Sequence, residues 1–200
     1  MSDADADAEV TEIGALLAPA YRTLGQLYLE PPDERTVRAI QQWCDAFADE
    51  SLPPELEAAV ETVRTADPEL DVLRGAFTRL LQGVSYGEAV PPPYESMYVD
   101  EMLNGPSSTE VEAFYYEVGV TLDVDDELID HAGYELSFLA ELCDRGDREA
   151  QLGFIRTHVG DWLTEFHEAA RGEDPPAFYR GLFALTESLL ELHADTLEES

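Results

Sequence analysis

One histidine of the chain, His131, lies among carboxylates at helical spacing. A helix is predicted from a cap at residue 125 or 126 through residue 143. Within it Glu127, His131 and Glu135 are four residues apart and share one face, which Phe138 continues. The opposite stripe is apolar and is expected to point into the core. A large aromatic residue such as Phe138 is not expected on a face that only contacts solvent, so we interpret this face as a candidate site.

The spacing of the histidines does not fit a helical metal site. A di-iron helix pair repeats Glu-x-x-His, but the residue three places before His131 is leucine and that before His167 is threonine. His158 and His167 are nine residues apart and would lie on opposite sides of one helix. The motifs of zinc proteases, serine hydrolases and phosphate-binding loops are absent. We therefore expect no catalytic residue, no metal ligand and no cofactor, with His158, His167 and His193 at the surface or the core edge.

The charge of the chain is strongly negative. It has 44 acidic residues and 11 basic ones, all of them arginine, for a formal net charge of −33. Such a chain cannot neutralise a run of phosphates, which excludes nucleic-acid binding. The acids are spread along the whole sequence, which is typical of salt-loving archaea, where molar salt shortens the Debye length to about 3 Å. The alternative interpretation is that the acidity serves a basic partner, such as an arginine-bearing peptide.

The hydropathy pattern indicates neither a membrane span nor a secretory leader. No apolar stretch reaches the roughly 20 residues that cross a bilayer, and no basic segment precedes an apolar one. We therefore expect a cytoplasmic protein without stable membrane insertion. Cys44 and Cys143 belong to no CxxC motif and are expected as buried thiols.

Apolar residues recur at helical spacing along most of the chain, which predicts an all-α fold. Capping and first-turn residues such as Asp33, Pro54 and Asp147 mark helix starts. They divide the chain into a compact single-domain array of about seven or eight helices. Residues 1–10 alternate Asp with Ala and are expected as a disordered acidic tail, so the helical domain is assigned to residues 11–200.

Residues 83–107 are too rich in Gly and Pro to form one helix. Within them the run 91–93 is all proline, and Tyr94, Met97 and Tyr98 follow closely. Aromatic side chains exposed on a preordered loop suit peptide capture. The alternative is that these tyrosines simply fill gaps between helices.

Five motifs occur in order along the chain and together resemble the TorD/DmsD/NarJ family of molybdoenzyme-specific chaperones. The match covers most of the sequence and includes the segment judged most diagnostic, Asp130-His131. The motifs are Tyr21–Tyr28 followed by Pro31-Pro32, Leu73–Gly83, Pro93–Tyr98, Asp130-His131 followed by Glu135–Leu139, and His158–Phe166.

The resemblance implies an all-helical redox enzyme maturation protein, monomeric or domain-swapped into a dimer. Its partners would be the twin-arginine signal peptide and the catalytic subunit of a molybdopterin oxidoreductase, of the DMSO, TMAO or nitrate reductase kind. The chaperone would hold this precursor until cofactor insertion and Tat export. By position, Asp130 and His131 fall on the family's peptide-binding motif, and Tyr94, Glu95 and Ser96 on its loop motif. Many members carry a proline just before the aspartate, where this chain has none.

The residue types agree with a peptide receptor of this kind. A twin-arginine leader offers two guanidinium groups next to an apolar helix-forming run, so its receptor needs carboxylates beside an apolar groove. Glu127, Asp130 and Glu135 are the candidates to meet the arginines, with Phe138 beside the apolar run. His131 is the candidate to orient Asp130 or to donate a hydrogen bond to the peptide backbone.

The sequence thus predicts a cytoplasmic, system-specific chaperone rather than an enzyme. A first alternative is a nitrate-reductase-type assembly factor, whose catalytic subunit lacks a normal export signal. A second, from another class, is a helical metalloenzyme that uses His131 and nearby carboxylates. A third is a plain helical interaction module without a peptide groove.

Overall fold

The computed structural model describes residues 3–47, 51–83, 90–120 and 129–199, with residues 3–12 described by their backbone alone. The described part is helical, without strands, which confirms the all-α prediction. It contains ten α-helices and one π-helical turn: α1 (Asp3–Leu29), α2 (Glu34–Asp45), α3 (Pro54–Thr65), α4 (Leu70–Leu80), α5 (Glu95–Val99), α6 (Pro106–Glu117), α7 (Ala132–Arg145), α8 (Arg148–Phe154), the π turn (Ile155–Val159), α9 (Asp161–Gly172) and α10 (Ala177–Glu199).

The predicted count of seven or eight helices is slightly low, for two local reasons. Within the Gly- and Pro-rich segment, the five residues of α5 form a short helix. The long helix expected after Asp147 is divided by the π turn, which ends where the Gly160 N–H bonds to the carbonyl of Ile155 at 3.0 Å. A π turn shifts the hydrogen-bond register, so α8 and α9 are separate helices.

Several helix starts follow the local capping chemistry of the sequence. The Asp33 carboxylate accepts the Thr36 N–H at 2.7 Å at the start of α2. Asp147 accepts the Ala150 N–H at 3.1 Å at the start of α8, and α3 begins on Pro54. Both N-cap predictions and the proline start are therefore confirmed.

Helix α7 differs from its prediction. It begins at Ala132, with His131 in extended conformation as its N-cap, so Asp130 and His131 precede the helix instead of lying one turn into it. The helix is also buried nearly all round, because Glu135 and Phe138 are as inaccessible as Leu136. The stripe predicted to face the core is buried, and the opposite face, predicted as the candidate site, is buried as well at Glu135 and Phe138.

The close approach of α1 to α7 explains this burial. A Cβ atom added to Gly133 would lie 2.6 Å from the Gly25 carbonyl oxygen, and one added to Gly25 would lie 2.7 Å from the Gly133 carbonyl oxygen. Only glycine at both positions lets the two backbones meet at this distance. The contact places the start of α7 against the end of α1.

Both cysteines are buried free thiols, as predicted. Helix α1 begins at Asp3, so its first turns include most of the segment expected as an acidic tail. The division into a tail and a domain over residues 11–200 stays a prediction. Among the described residues, no helix combines the length and apolar composition that crossing a bilayer requires.

Candidate functional site

Two motifs that are far apart in sequence meet in a short antiparallel bridge between Tyr94 and His131. The Ala132 N–H donates to the Pro93 carbonyl at 2.9 Å, and the Glu95 N–H donates to the Asp130 carbonyl at 2.8 Å. Both bridge residues have extended backbones. Successive side chains of extended backbone point to opposite sides, so Tyr94 and His131 share one side while Glu95 and Asp130 share the other.

The Asp130 carboxylate fastens the start of α5. It is fully buried, and its Oδ2 accepts the Ser96 N–H at 3.0 Å, which satisfies an otherwise unpaired donor at the helix N-terminus. The Ser96 hydroxyl in turn accepts the Asn104 N–H at 3.1 Å. Asp130 therefore holds the loop of residues 93–104 against the start of α7.

His131 is an uncharged wall residue in this structure. Its Nδ1 accepts the Gly133 N–H at 3.1 Å, which caps α7. Burial lowers the pKa of His131 to about 4, against the opposing attraction of Asp130. The imidazole is thus neutral at neutral pH, and its ring meets the edge of Tyr94 with 4.8 Å between centroids.

On the opposite side of the bridge lies an acid cluster of Glu95, Asp130 and Glu135 with His158. His158 Nδ1 lies 3.2 Å from a Glu95 carboxylate oxygen, and both side chains are buried. Glu135 is fully buried, and neither of its carboxylate oxygens has a hydrogen-bond partner in the described structure. Burial, and next the Glu95 carboxyl, raise the pKa of Glu135 well above its ordinary value. Burial also raises the pKa of Glu95, although its contact with His158 acts in the other direction.

A hollow of about 260 Å³ opens beside the bridge, on the side of Tyr94 and His131. It collects side chains from the ends of α1, α4 and α7 and from the proline loop. No described lining residue carries a carboxylate or a guanidinium group. The lining residues are Tyr28, Leu29, Phe77, Leu81, Gln82, Pro92, Tyr94, His131 and Tyr134.

A network of hydrogen bonds, which begins in the core and reaches the surface at Arg171, fixes Tyr28 in the wall of the hollow. Its hydroxyl lies 2.6 Å from His167 Nε2, and His167 Nδ1 lies 2.9 Å from a Glu187 carboxylate oxygen. Arg171 donates to the other oxygen of Glu187 at 2.5 Å. These hydrogen bonds connect α1, α9 and α10, so they hold Tyr28 in one position.

The structure brings most of the predicted site residues together, but only two of them line the hollow and the others are buried away from it. Tyr94 and His131 line the hollow, whereas the predicted carboxylates Glu95, Asp130 and Glu135 are buried and Ser96 is covered. Phe138 is also buried, with its ring centroid 4.1 Å from that of Tyr115 and 4.7 Å from that of Phe154. Glu127 lies outside the described residues. The open groove expected beside these acids is therefore not present around the described ones.

The prediction that three histidines lie at the surface or the core edge is wrong. His158, His167 and His193 are buried, at 3%, 0% and 0% exposure, and each contacts a polar partner. His158 could have been recognised from its spacing, since it lies four residues from both Phe154 and Trp162 on one helical stripe. No sequence pattern predicts that Tyr28 and Tyr134 line the hollow, because their positions there depend on how the helices pack together.

Comparisons with known proteins agree with this architecture. A family model described as the nitrate reductase delta subunit matches residues 48–168. The chaperone protein TorD of Shewanella loihica is 28% identical over 195 residues, covering 90% of this chain and 92% of the relative. TorD of Shewanella pealeana is 23% identical over 209 residues, covering 95% and 93%. A crystal structure from Archaeoglobus fulgidus, described as a candidate redox enzyme maturation protein, shares the fold with a TM-score of 0.57 at 19% identity, over 91% of this chain and 94% of that one.

The all-helical fold and the bridge between two distant motifs define a helical protein with the fold of the Archaeoglobus fulgidus structure. Because the family model matches more than half of the sequence, the chain belongs to the nitrate reductase delta subunit family, the TorD/NarJ family that the motifs indicate. Among the described residues, no group of three His, Cys, Asp or Glu side chains is arranged to hold a metal ion.

Proposed function

We propose that the protein is a chaperone for a molybdopterin oxidoreductase precursor and that the hollow beside His131 binds the precursor's N-terminal leader. The relatives named TorD are chaperones by name, which supports the general class. The single observation that carries the specific proposal is the hollow itself, where Tyr94 and His131 of two family motifs meet. The chaperone would act in the cytoplasm before Tat export and would catalyse no reaction.

The chemistry of the hollow favours the apolar part of the leader. Its described lining is aromatic, aliphatic or uncharged polar, and His131 is neutral because burial lowers its pKa to about 4. An arginine placed there would lose water without gaining a carboxylate partner. A large apolar side chain would gain from burial in the same space. We therefore assign the apolar run of the leader, rather than its arginines, to the hollow.

The arginines of the leader then need carboxylates at the surface. The acid cluster cannot meet them in this conformation, because Glu95, Asp130 and Glu135 are buried. Glu30 is exposed and directly follows Leu29, a residue of the hollow's rim. We assign Glu30 as a surface partner for a leader arginine, and we assign the buried acids to positioning Tyr94 and His131.

Isothermal titration with a synthetic twin-arginine leader of a molybdopterin oxidoreductase tests the proposal. Tyr134→Ala removes one wall of the hollow at a partly exposed position, and we expect the variant to keep the native helix content, as checked by circular dichroism. We expect its affinity for the leader to fall about tenfold, which corresponds to about 1.4 kcal/mol.

Tyr116→Ala is the matched control, because Tyr116 is 83% exposed on α6 and does not line the hollow. The same aromatic side chain is removed, and the affinity should be unchanged. Equal losses in both variants, or native affinity in Tyr134→Ala, would place leader binding elsewhere. No binding by the native protein would reject the proposal.

A nitrate-reductase-type assembly factor is the second candidate, favoured by the description of the family model. Such a factor would bind a nitrate reductase catalytic subunit that lacks a leader. Titration with that subunit and with the leader peptide separates the two candidates. An assembly factor of this type would bind the subunit but not the leader peptide.

A further inference from the structure

A second hollow, of about 640 Å³, opens between α4 and the loop that connects α9 to α10. It shares no lining residue with the hollow beside His131. Arg79 of α4 and Arg180 of α10 both line it, and we call it the arginine hollow. The chain has only 11 basic residues against 44 acidic ones, so two arginines in one hollow are a local concentration of positive charge.

The guanidinium group of Arg79 lacks a carboxylate partner in the described part of the chain. Its Nη2 donates to the Glu173 carbonyl at 3.4 Å, and its Nε is closed to solvent without a hydrogen-bond partner there. Arg171, a second partly exposed arginine, instead pairs with Glu187 at 2.5 Å. A charged group that is partly removed from water is stable only when an opposite charge or hydrogen bonds compensate it. Arg79 is therefore suited to an anionic ligand.

The acidic side chains at the arginine hollow extend into solvent. Those of Asp71 and Asp174 are 98% and 99% exposed. The Asp174 carboxylate lies 3.6 Å from Arg180 Nη1, but an ion pair this exposed contributes little. Arg180 Nη1 also donates to the Pro175 carbonyl at 2.5 Å. The two guanidinium groups thus reach the same loop from two helices, and no buried carboxylate of the described residues neutralises either of them.

The N-terminus of α10 adds hydrogen-bond donors at the same place. The Arg180 N–H donates to the Pro176 carbonyl at 3.1 Å, which is the first bond of the helix. The N–H groups of residues 177–179 therefore have no partner within α10. Pro176 and Ala177 line the arginine hollow, so the positive end of the helix dipole lies beside the two guanidinium groups.

Gly75 leaves one wall of the arginine hollow without a side chain. It lies within α4, where glycine is less favourable than alanine. A Cβ atom there would meet nothing within 4 Å, so close packing does not explain the glycine. The missing side chain keeps the hollow open towards the helix backbone.

We infer that the arginine hollow binds a phosphate-type oxyanion. Its two guanidinium groups would repel a cation and would lose hydration beside an apolar side chain. Guanidinium groups match the oxygens of carboxylates and phosphates, and phosphate offers more oxygens than a carboxylate, so it can contact donors from both helices at once. The net charge of −33 repels an anion at long range, but at about 1 M salt the Debye length is near 3 Å and the local charges decide. This inference does not depend on the leader site.

Isothermal titration of the whole chain at about 1 M KCl tests the inference, with inorganic phosphate and glycerol 3-phosphate as probes. We expect saturable binding of one anion per chain and an unfolding temperature that rises to a plateau as phosphate is added. In Arg79→Gln the half-saturating concentration should be at least about tenfold higher, as for loss of a hydrogen bond to a charged group. Tighter binding of the ester would identify a phosphorylated small molecule as the ligand, and tighter binding of phosphate would identify the free ion.

Arg35→Gln is the matched control, because Arg35 is exposed on α2 and does not line the arginine hollow. The same charge is removed, and anion binding should stay native. Arg180→Gln should also bind more weakly, and its exposed position keeps the test open if Arg79→Gln folds poorly. The inference fails if the native protein shows no saturable binding, or if both hollow variants bind as the native protein does. It also fails if the unfolding temperature of every variant rises equally without a plateau, since phosphate then acts by general exclusion from the surface.

Discussion

The two sides of the Tyr94–His131 bridge have opposite character. On one side lie three carboxyl groups with a histidine, all buried. On the other side lies a hollow lined by aromatic and aliphatic residues without a formal charge. The carboxyl groups and His158 thus face inward and position the loop. The tyrosines and the neutral His131 face the hollow.

This difference has a physical origin in the cost of burying charge. A carboxylate is removed from water only if partners compensate it or if it takes up a proton. Here Asp130 accepts the Ser96 N–H, Glu95 contacts His158, and the pKa of Glu135 is raised by burial. The cluster therefore holds the loop in one position, but it makes stability depend on each partner and on pH.

The largest effect that we expect comes from breaking the contact between His158 and Glu95. His158→Ala leaves the Glu95 carboxyl buried without its partner and opens space beside Phe154. We expect the free energy of unfolding to fall by about 3 to 5 kcal/mol, measured by urea denaturation. Arg156→Ala on the same turn breaks an exposed ion pair with Glu198 and should cost no more than about 1 kcal/mol. Similar losses in the two variants would show that the buried side has no special role.

The hollow side should show its own pH dependence through His131. Burial lowers its pKa from 6.5 to about 4, so folding favours the neutral imidazole. This stability is present above pH 6.5 and is lost as the pH falls towards 4. His131→Asn keeps an N-cap acceptor but does not titrate. The native protein should lose about 3 kcal/mol relative to this variant between pH 7 and pH 4. A constant difference between the two unfolding free energies would contradict the neutral imidazole.

The acid cluster should respond to pH in the opposite direction. Because the pKa of Glu135 is raised, its proton stabilises the folded state below the ordinary value of 4.5, and this stability declines as the pH rises through the folded pKa. Glu135→Gln imitates the protonated carboxyl. Relative to this variant, the native protein should become less stable as the pH rises above 4.5, by about 1.4 kcal/mol for each pH unit up to the folded pKa of Glu135.

Glu168→Gln provides the control for this measurement, because Glu168 is exposed on α9. The same chemical change there should leave the pH dependence of the unfolding free energy as it is in the native protein. If both variants follow the native curve, Glu135 does not keep its proton in the folded state.

The smallest effect concerns the surface acid at the rim of the hollow. Glu30→Gln should weaken leader binding about twofold at roughly 0.1 M KCl, because exposed ion pairs contribute little. At about 1 M KCl the Debye length is near 3 Å and the difference should disappear. The difference between the two affinities, titrated at both salt concentrations, checks this. A loss that persists in high salt would indicate a buried contact at Glu30.

Local chemistry made a large part of the architecture predictable from the sequence. Apolar spacing predicts the helices, and Asp33 and Asp147 cap theirs as expected because a cap needs only a side chain and the backbone of the next turn. The motifs also grouped Tyr94 with His131, and these two residues do meet in the structure across more than thirty positions of chain. The burial of Cys44 followed from its apolar surroundings.

The sequence by itself therefore determined the helical class and the family, because both depend on short-range patterns. Only the tertiary structure decided which way the predicted site residues face. Pairing with residues 93–95 draws Asp130 and His131 out of the predicted helix, and extended backbone then turns neighbouring side chains to opposite sides. No local pattern encodes this pairing, because its partner lies in a distant loop. For the same reason, the position of His158 beside Glu95 became visible only when the helices were packed together.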